Sequence, residues 1–197
     1  MSGVLRVQYR VGSKERLFDV GQTVYANRRR ILRKNGLTLR PYTKTIARMR
    51  TQSIELLALA LFWGLLLWVG EPDTLMIVLL VMYAFCAILM PAAWYMSRKS
   101  YQKALQMYRT DHGEVGYILF DEEGMTDHSE KGNRTVLPWA EYIACVLTQE
   151  AVVLLFERPV LLILGRDAQT EQGIREALAA FGRANTVYEA NVKESGK

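Results

Sequence analysis

Apolar and polar side chains alternate along the first dozen residues. In VLRVQYRV (Val4 to Val11), Leu5, Val7, Tyr9 and Val11 fall on one side and Arg6, Gln8 and Arg10 on the other. That period of two predicts a strand with one buried face. The period then lengthens. Leu17, Val20, Val24 and Ile31, flanked by Phe18, Tyr25 and Leu32, recur at helical spacing after Gly12. They predict a helix capped by Ser13 and running to about Asn35, where Gly36 stops it. LRPYTKTIARMRTQS follows, with Ile46 and Met49 seating a basic amphipathic helix.

From Ser53 the alternation disappears. SIELLALALFWGLLLWVG (Ser53 to Gly70) is apolar apart from Glu55, and TLMIVLLVMYAFCAILMPAAWYM (Thr74 to Met96) carries no charge. Helices of about 18 and 23 residues are roughly 27 and 34 Å long, against a bilayer hydrocarbon core of about 30 Å. The spacing predicts two transmembrane spans. The connection GEPD (Gly70 to Asp73) is too short for anything but an antiparallel hairpin, so both chain ends lie on one side. Lys and Arg flank the outer ends of the spans and the connection has none, which places both termini in the cytoplasm and the hairpin in the inner membrane. Trp68, Trp94 and Tyr95 suit the interfaces. Ala60 and Gly64, four residues apart, suit close packing between the two helices. Pro91 is expected to disturb the last turns of the second span.

After Met96, Tyr101, Leu105 and Tyr108 continue a helix to Gly113. The period then shortens again. VGYILF, MTDHS and TVLPW, with a DEEG turn after the first, read as short strands and hairpins. YIACVLT, AVVLLFE and VLLIL read as three successive antiparallel strands. TEQGIREALAAFG closes the pattern as a helix with Ile174, Ala177, Leu178 and Phe181 on its packing face. The N-terminal strand returns to the same side as this sheet and is expected to pair with an open edge of it. The fold class expected is therefore an α+β membrane protein. Residues 1–52 form a strand and basic helices, 53–96 the hairpin (spans 53–70 and 74–96), 97–190 a cytoplasmic antiparallel-sheet domain capped by a helix, and 191–197 a tail.

Charge sharpens this division. The 197 residues carry a formal net charge of +5. Ahead of Ser53 the only acids are Glu15 and Asp19, whereas from Ser97 onward acids outnumber bases. Asymmetry of this kind assigns an anionic partner to the basic part. On the cytoplasmic side that partner is the inner leaflet, where each nearby Lys or Arg contributes about 1 kcal/mol. Headgroup contacts are expected at Arg28, Arg29, Arg30, Arg33, Lys34, Arg48 and Arg50 before the hairpin and at Arg98 and Lys99 after it. No helix-turn-helix, zinc finger or RNA-binding motif accompanies the charge, so nucleic acid is not expected as a partner.

Candidate chemistry adds little. No phosphate-cradling glycine loop, nucleophile elbow or zinc-binding pair occurs. Cys86 and Cys145 belong to no paired motif and read as small buried residues. His112 and His128 lack ligand spacing, and DEEG lacks the ligand run of a calcium loop. No catalytic residue, metal or cofactor is expected. Trp139 stands out as an anchor of the C-terminal domain.

The order of these pieces resembles the YcxB-like bacterial membrane proteins, which have an N-terminal strand and helix, a two-span hairpin and a small C-terminal domain. FDEEGM (Phe120 to Met125), LPWAEYIACV (Leu137 to Val146) and VVLLFERPVLLIL (Val152 to Leu164) are similar to elements of that domain; Gly165 and Arg166 stand where members often carry a proline and a basic residue. The resemblance implies a pleckstrin-homology-like (PH-like) sheet capped by a helix, and no enzymatic activity. Together these readings point to a non-enzymatic membrane-anchored protein whose cytoplasmic domain binds a protein partner. Two alternatives stand beside it: a module sensing lipid headgroups, and an immunity or envelope-stress protein acting through its hairpin.

Overall fold

The computed structural model describes residues 3–33, 37–39, 41–70, 74–111, 114–132, 134–158 and 161–192. The elements are β1 (Leu5–Arg10), α1 (Lys14–Ala26), α2 (Arg28–Ile31), β2 (Leu37–Leu39), α3 (Tyr42–Val69), α4 (Thr74–Asp111), β3 (Val115–Phe120) and β4 (Gly124–Ser129). There follow β5 (Arg134–Pro138), β6 (Tyr142–Leu147), β7 (Ala151–Phe156), β8 (Leu161–Gly165), α5 (Ala168–Ala180) and β9 (Val187–Val192), the last entered through a 3-10 turn at Ala184–Thr186. The chain is α+β and divides into two units. Met1–Tyr42 and Leu105–Lys197 make one, Thr43–Ala104 the other.

The first unit holds two sheets. One has the order β1-β3-β4-β5 and is antiparallel throughout. The other has the order β2-β9-β6-β7-β8. There β6, β7 and β8 alternate in direction, while β9 runs parallel to β6 and β2 parallel to β9. Strands β8 and β9 therefore point the same way, and α5 is the crossover that parallel strands require. The expected purely antiparallel sheet is thus corrected to an antiparallel sheet plus a mixed one. The two strands that make it mixed have weak sequence patterns. In β9 only Ala190 is buried, and β2 is three residues long.

All six residues of β7 are buried, Ala151 to Leu155 at 0% exposure. A strand inaccessible on both sides is covered on both, which is why its sequence is continuously apolar instead of alternating. Helix α1 packs on β7 and β8 through Leu17, Phe18, Val20 and Val24, and a Cβ at Gly21 would collide with the Ile163 side chain. Helix α5 packs on β1, with Ile174, Ala177 and Leu178 buried; Phe181 remains half-buried. Each large side chain so removed from water contributes about 1.5–3 kcal/mol before conformational entropy is charged against it.

The helix expected from Ser13 to Asn35 ends at Ala26, and Asn27 is the cause. Its side-chain amide donates to the Thr23 carbonyl at 2.9 Å, and its φ of −104° and ψ of 10° leave the helical region. An asparagine that bonds the preceding turn competes with continued helix. Ser13 occupies the N-cap position without a side-chain cap, its carbonyl instead accepting from Leu17 N at 3.0 Å. Asn35 and Gly36 lie outside the described residues.

Strand β1 joins the C-terminal part of the chain as its alternation suggested, pairing with β3 from Leu5–Phe120 to Arg10–Val115. Tyr9 sits opposite Gly116, and a Cβ there would collide with the Tyr9 ring. Lying across the glycine, Tyr9 reaches one strand further and its hydroxyl donates to Asp127 Oδ1 at 2.7 Å. Burial, together with this carboxylate, pushes the phenol well above its ordinary range. The last residues of α4 belong to the same unit: Leu105 and Tyr108 are buried, Tyr108 packs on Phe18 with ring centroids 5.4 Å apart, and Arg109 pairs with Glu15 at 2.7 Å.

The second unit is made of the long helices α3 and α4. Both are long and apolar enough to cross a membrane, and only 6% of the most apolar stretch of either is buried. Leu61, Leu65, Val81, Phe85 and Ile88 are all exposed. Helix α4 runs on through Pro91 instead of breaking there, since proline's fixed φ is helical and only one backbone donor is lost.

Candidate functional site

The outer face of the four-stranded sheet gathers chemistry that lies far apart in sequence. Because β-strand side chains alternate, the register puts Val7, Tyr9, Ile118 and Phe120 inward and Arg6, Gln8, Tyr117 and Leu119 outward. Tyr117 faces His128 of β4, which faces Arg134 of β5. Their side chains form a row. The Arg6 guanidinium lies over the Tyr117 ring, 3.9 Å from its centroid, and the His128 ring stacks on the other side at 4.7 Å with an interplanar angle of 10°. A cation over an aromatic face is held by the ring quadrupole, contributing about 0.5–1 kcal/mol at an exposed site. Arg6 and Arg134 are exposed, and neither makes an ion pair among the described residues. A groove of about 340 Å³ lies over the Arg6–Tyr117–His128 part of this row, lined also by Gln8, Ser129 and Glu130, and Arg134 stands beyond its lining. The Glu130 carboxylate at its rim accepts from Glu114 N at 3.3 Å.

A second hollow, of about 440 Å³, lies where α5 begins beside β1. Its one carboxylate is already engaged. Asp167 Oδ1 accepts from Thr170 N and Oδ2 from the Thr170 hydroxyl, each at 2.8 Å. Those bonds, the backbone one foremost, hold the Asp167 carboxyl below its ordinary range. It is a helix cap, and so is its chemistry. Glu171 one turn on is also held low, chiefly by Arg166 at 2.7 Å and then by Arg175 at 2.9 Å, and Arg175 reaches Glu189 of β9 at 3.2 Å. This network joins α5 to the strand that follows it.

The basic residues expected to meet headgroups divide between the units. Arg28, Arg29 and Arg30 form most of α2 and Arg33 follows it, with Arg29, Arg30 and Arg33 exposed. Arg28 is half-buried, its guanidinium 4.3 Å from the Tyr25 ring centroid. Lys34 lies outside the described residues. Arg48 and Arg50 are exposed on α3, Arg98 and Lys99 on α4, with Arg98 5.8 Å from the Trp94 ring. A Cβ at Gly64 would meet nothing within 4 Å, so this glycine is not a point of close approach here, and Ala60 beside it is half-buried.

Trp139 follows β5 and gathers three parts of the unit. Its indole N–H donates to the Asp121 carbonyl at 2.8 Å, and its ring meets Phe120, Tyr142 and Phe181 at 6.2, 5.6 and 5.5 Å. DEEG is a turn in which Asp121 Oδ1 accepts from the backbone of Glu123 and Gly124, each at 2.9 Å. His112 lies outside the described residues, and among the described residues no three His, Cys, Asp or Glu side chains are grouped to hold a metal. Burial pushes the Cys145 thiol up to about 12, so it stays protonated and unreactive.

The row Arg6–Tyr117–His128–Arg134 was not anticipated from the sequence. The alternation of β1 placed Arg6 on the polar side, but the partner strands and their register follow only from the fold. No family model, curated protein or solved structure matches the chain.

Proposed function

We propose that this chain is a membrane-anchored, non-enzymatic binding protein of the bacterial inner membrane. In this reading α3 and α4 are an antiparallel transmembrane hairpin, both termini are cytoplasmic, and the two-sheet unit docks a protein partner at the inner leaflet. The observation that carries it is the contrast in burial. The two-sheet unit closes a core of its own, while only 6% of the most apolar stretch of α3 and of α4 is buried. Exposed apolar surface on that scale belongs against lipid or another protein. The lysines and arginines flanking the helices and missing from Gly70 to Asp73 give the orientation. Two small sheets with α5 packed against them support a PH-like, YcxB-like unit, to which β2 and β9 are additions. Arg29, Arg30 and Arg33, exposed and without an ion pair among the described residues, support contact with anionic headgroups.

Purification of the full-length protein from native membranes in mild detergent, with mass spectrometry of what stays bound, tests the reading. A stoichiometric protein partner is expected. Recovery of the protein with enriched anionic lipid and no protein partner overturns it in favour of a lipid-headgroup module, the second reading that the exposed arginines of α2 support.

A further inference from the structure

We propose that the outer face of the four-stranded sheet is a docking groove for an acidic, extended segment of the protein partner, gripped by Arg6 and Arg134 at either end of the Tyr117–His128 stack. This rests on the protein-partner reading above and names the face and the chemistry it selects. Charge is the first ground. The charged side chains at the outward strand positions are Arg6, Arg10 and Arg134, and the carboxylate that lines the groove, Glu130, accepts from the Glu114 backbone N–H. Arg134 stands in a segment, from Ser97 onward, whose acids outnumber its bases. Arg10 has Asp167 as a charged neighbour. Arg6 and Arg134 make no ion pair among the described residues.

Geometry narrows the occupant. Both faces of the Tyr117 ring are covered, one by Arg6 and the other by His128. A base cannot stack there, which removes the platform that single-stranded nucleic acid uses. Arg6 and Arg134 stand on β1 and β5, three strand spacings or about 14 Å apart across the sheet and two residues out of register, an offset that Arg6 takes up by leaning over Tyr117. In an extended peptide, side chains four residues apart share a face and are separated by about 13–14 Å. A segment crossing the strands thus brings two of its carboxylates onto the two guanidiniums, whose planar forks bind carboxylate through paired N–H groups. Between them it meets the ring edges, with the exposed Val136 and Val115 on either side of the row. Arg6 is already fixed over Tyr117, so little rotamer freedom is lost when it binds.

The test uses full-length protein in phosphatidylcholine nanodiscs and a fluorescein-labelled nonapeptide of alternating glutamate and threonine, followed by anisotropy. Saturable binding is expected, weakening with salt. Arg6→Gln combined with Arg134→Gln is expected to raise Kd about tenfold, the scale of two partly exposed charge contacts. Arg6→Lys with Arg134→Lys should recover part of the loss, and the charge-matched control Arg158→Gln with Arg175→Gln should bind like the parent. The proposal is overturned if the parent protein does not bind the peptide, or if the glutamine pair binds normally. It is equally overturned if the control weakens as much, which would make the effect one of net charge. A glutamine pair that loses binding to phosphatidylglycerol vesicles but keeps the peptide assigns the face to lipid. If native membranes yield a partner that the glutamine pair still retains, the groove is wrong and the partner reading survives. If they yield none while the peptide binds as expected, the groove stands and the partner reading falls.

Discussion

Strand β7 and the middle of α4 are similar in composition and opposite in fate. AVVLLF in β7 is at most 1% exposed, whereas Val81, Phe85 and Ile88 of α4 are 63%, 62% and 72% exposed. Apolar content alone does not decide burial. The strand has neighbours on both edges, β6 and β8, and α1 from the N-terminal part of the sequence packs over it. The helices satisfy their backbone hydrogen bonds internally and need no neighbour for that, so their apolar side chains can stay exposed while the backbone remains paired.

The largest effect that would break this contrast is a core truncation. Leu154→Ala, at a fully buried position, is expected to cost the two-sheet unit about 2–5 kcal/mol, while Leu65→Ala on α3 changes that unit by less than about 0.5 kcal/mol. Denaturant unfolding of the detergent-solubilised protein, followed through near-UV circular dichroism, reads both. Equal losses would mean that the α3 surface is also a core surface. The complementary substitution is Val81→Arg, near the middle of the uncharged stretch of α4. In a span it opposes insertion by about 2.5–3.5 kcal/mol. The fraction resisting carbonate extraction from membranes should fall sharply, and an unchanged fraction would contradict the bilayer assignment of α4.

The two units were unequally legible before the fold was known. The helices could be read because a long uninterrupted apolar run is a local property of composition and length, needing no partner. Strands β1, β3, β6, β7 and β8 were readable for a similar reason, since each has either strict alternation or an unbroken apolar run, and β4 and β5 were readable from the turn residues that bound them. Strands β2 and β9 were not. Their pairing is supplied by each other and by β6, across 153 residues in the case of Leu37 with Ala190, and Glu189 and Asn191 interrupt the apolar signal. The early end of α1 was also hidden, because Asn27 stops the helix through a side-chain bond and not through the glycine that the pattern favoured. Of the candidate groove, Arg6 could be assigned to a polar face from the sequence. Its meeting with Tyr117, His128 and Arg134 depends on register, which a single chain does not print.

A smaller effect sharpens the membership of β1 in the folded unit. Tyr9→Phe removes the hydroxyl that donates to buried Asp127, and is expected to destabilise the unit by about 1–3 kcal/mol, the usual range where a buried acceptor loses a donor. Gly116→Ala, which drives the Tyr9 ring off the sheet, should cost a comparable amount and add little when combined with Tyr9→Phe, because both act on one contact. Additive losses in the double variant would show that the two residues act separately. Neither change should alter carbonate extraction, since the contact lies wholly within the two-sheet unit.

The smallest effect concerns the cap of α5 and separates the units by pH. Asp167→Ala removes the two bonds to Thr170 and is expected to cost about 1 kcal/mol at neutral pH, whereas Asp167→Asn, which can still accept from the backbone, should lose less. The sign of the pH dependence follows from the lowered carboxyl of Asp167. A carboxylate held low in the folded state adds stability that is fully present above its unfolded pKa, near 3.9, and is lost as pH falls through the lower folded value. The gap in Tm between the parent and Asp167→Ala should therefore be constant above about pH 5 and close as the pH drops below 4. Glu171, held low by Arg166 and Arg175, titrates in the same direction, so both proteins lose stability in acid and only their difference reports the cap. A gap that persists unchanged at low pH would mean that the alanine acts by disturbing packing at the start of α5 and not through the charge. The uncharged stretch Thr74 to Met96 has no carboxylate to titrate, so co-sedimentation of the protein with membranes should stay level across the same acid range while the two-sheet unit weakens.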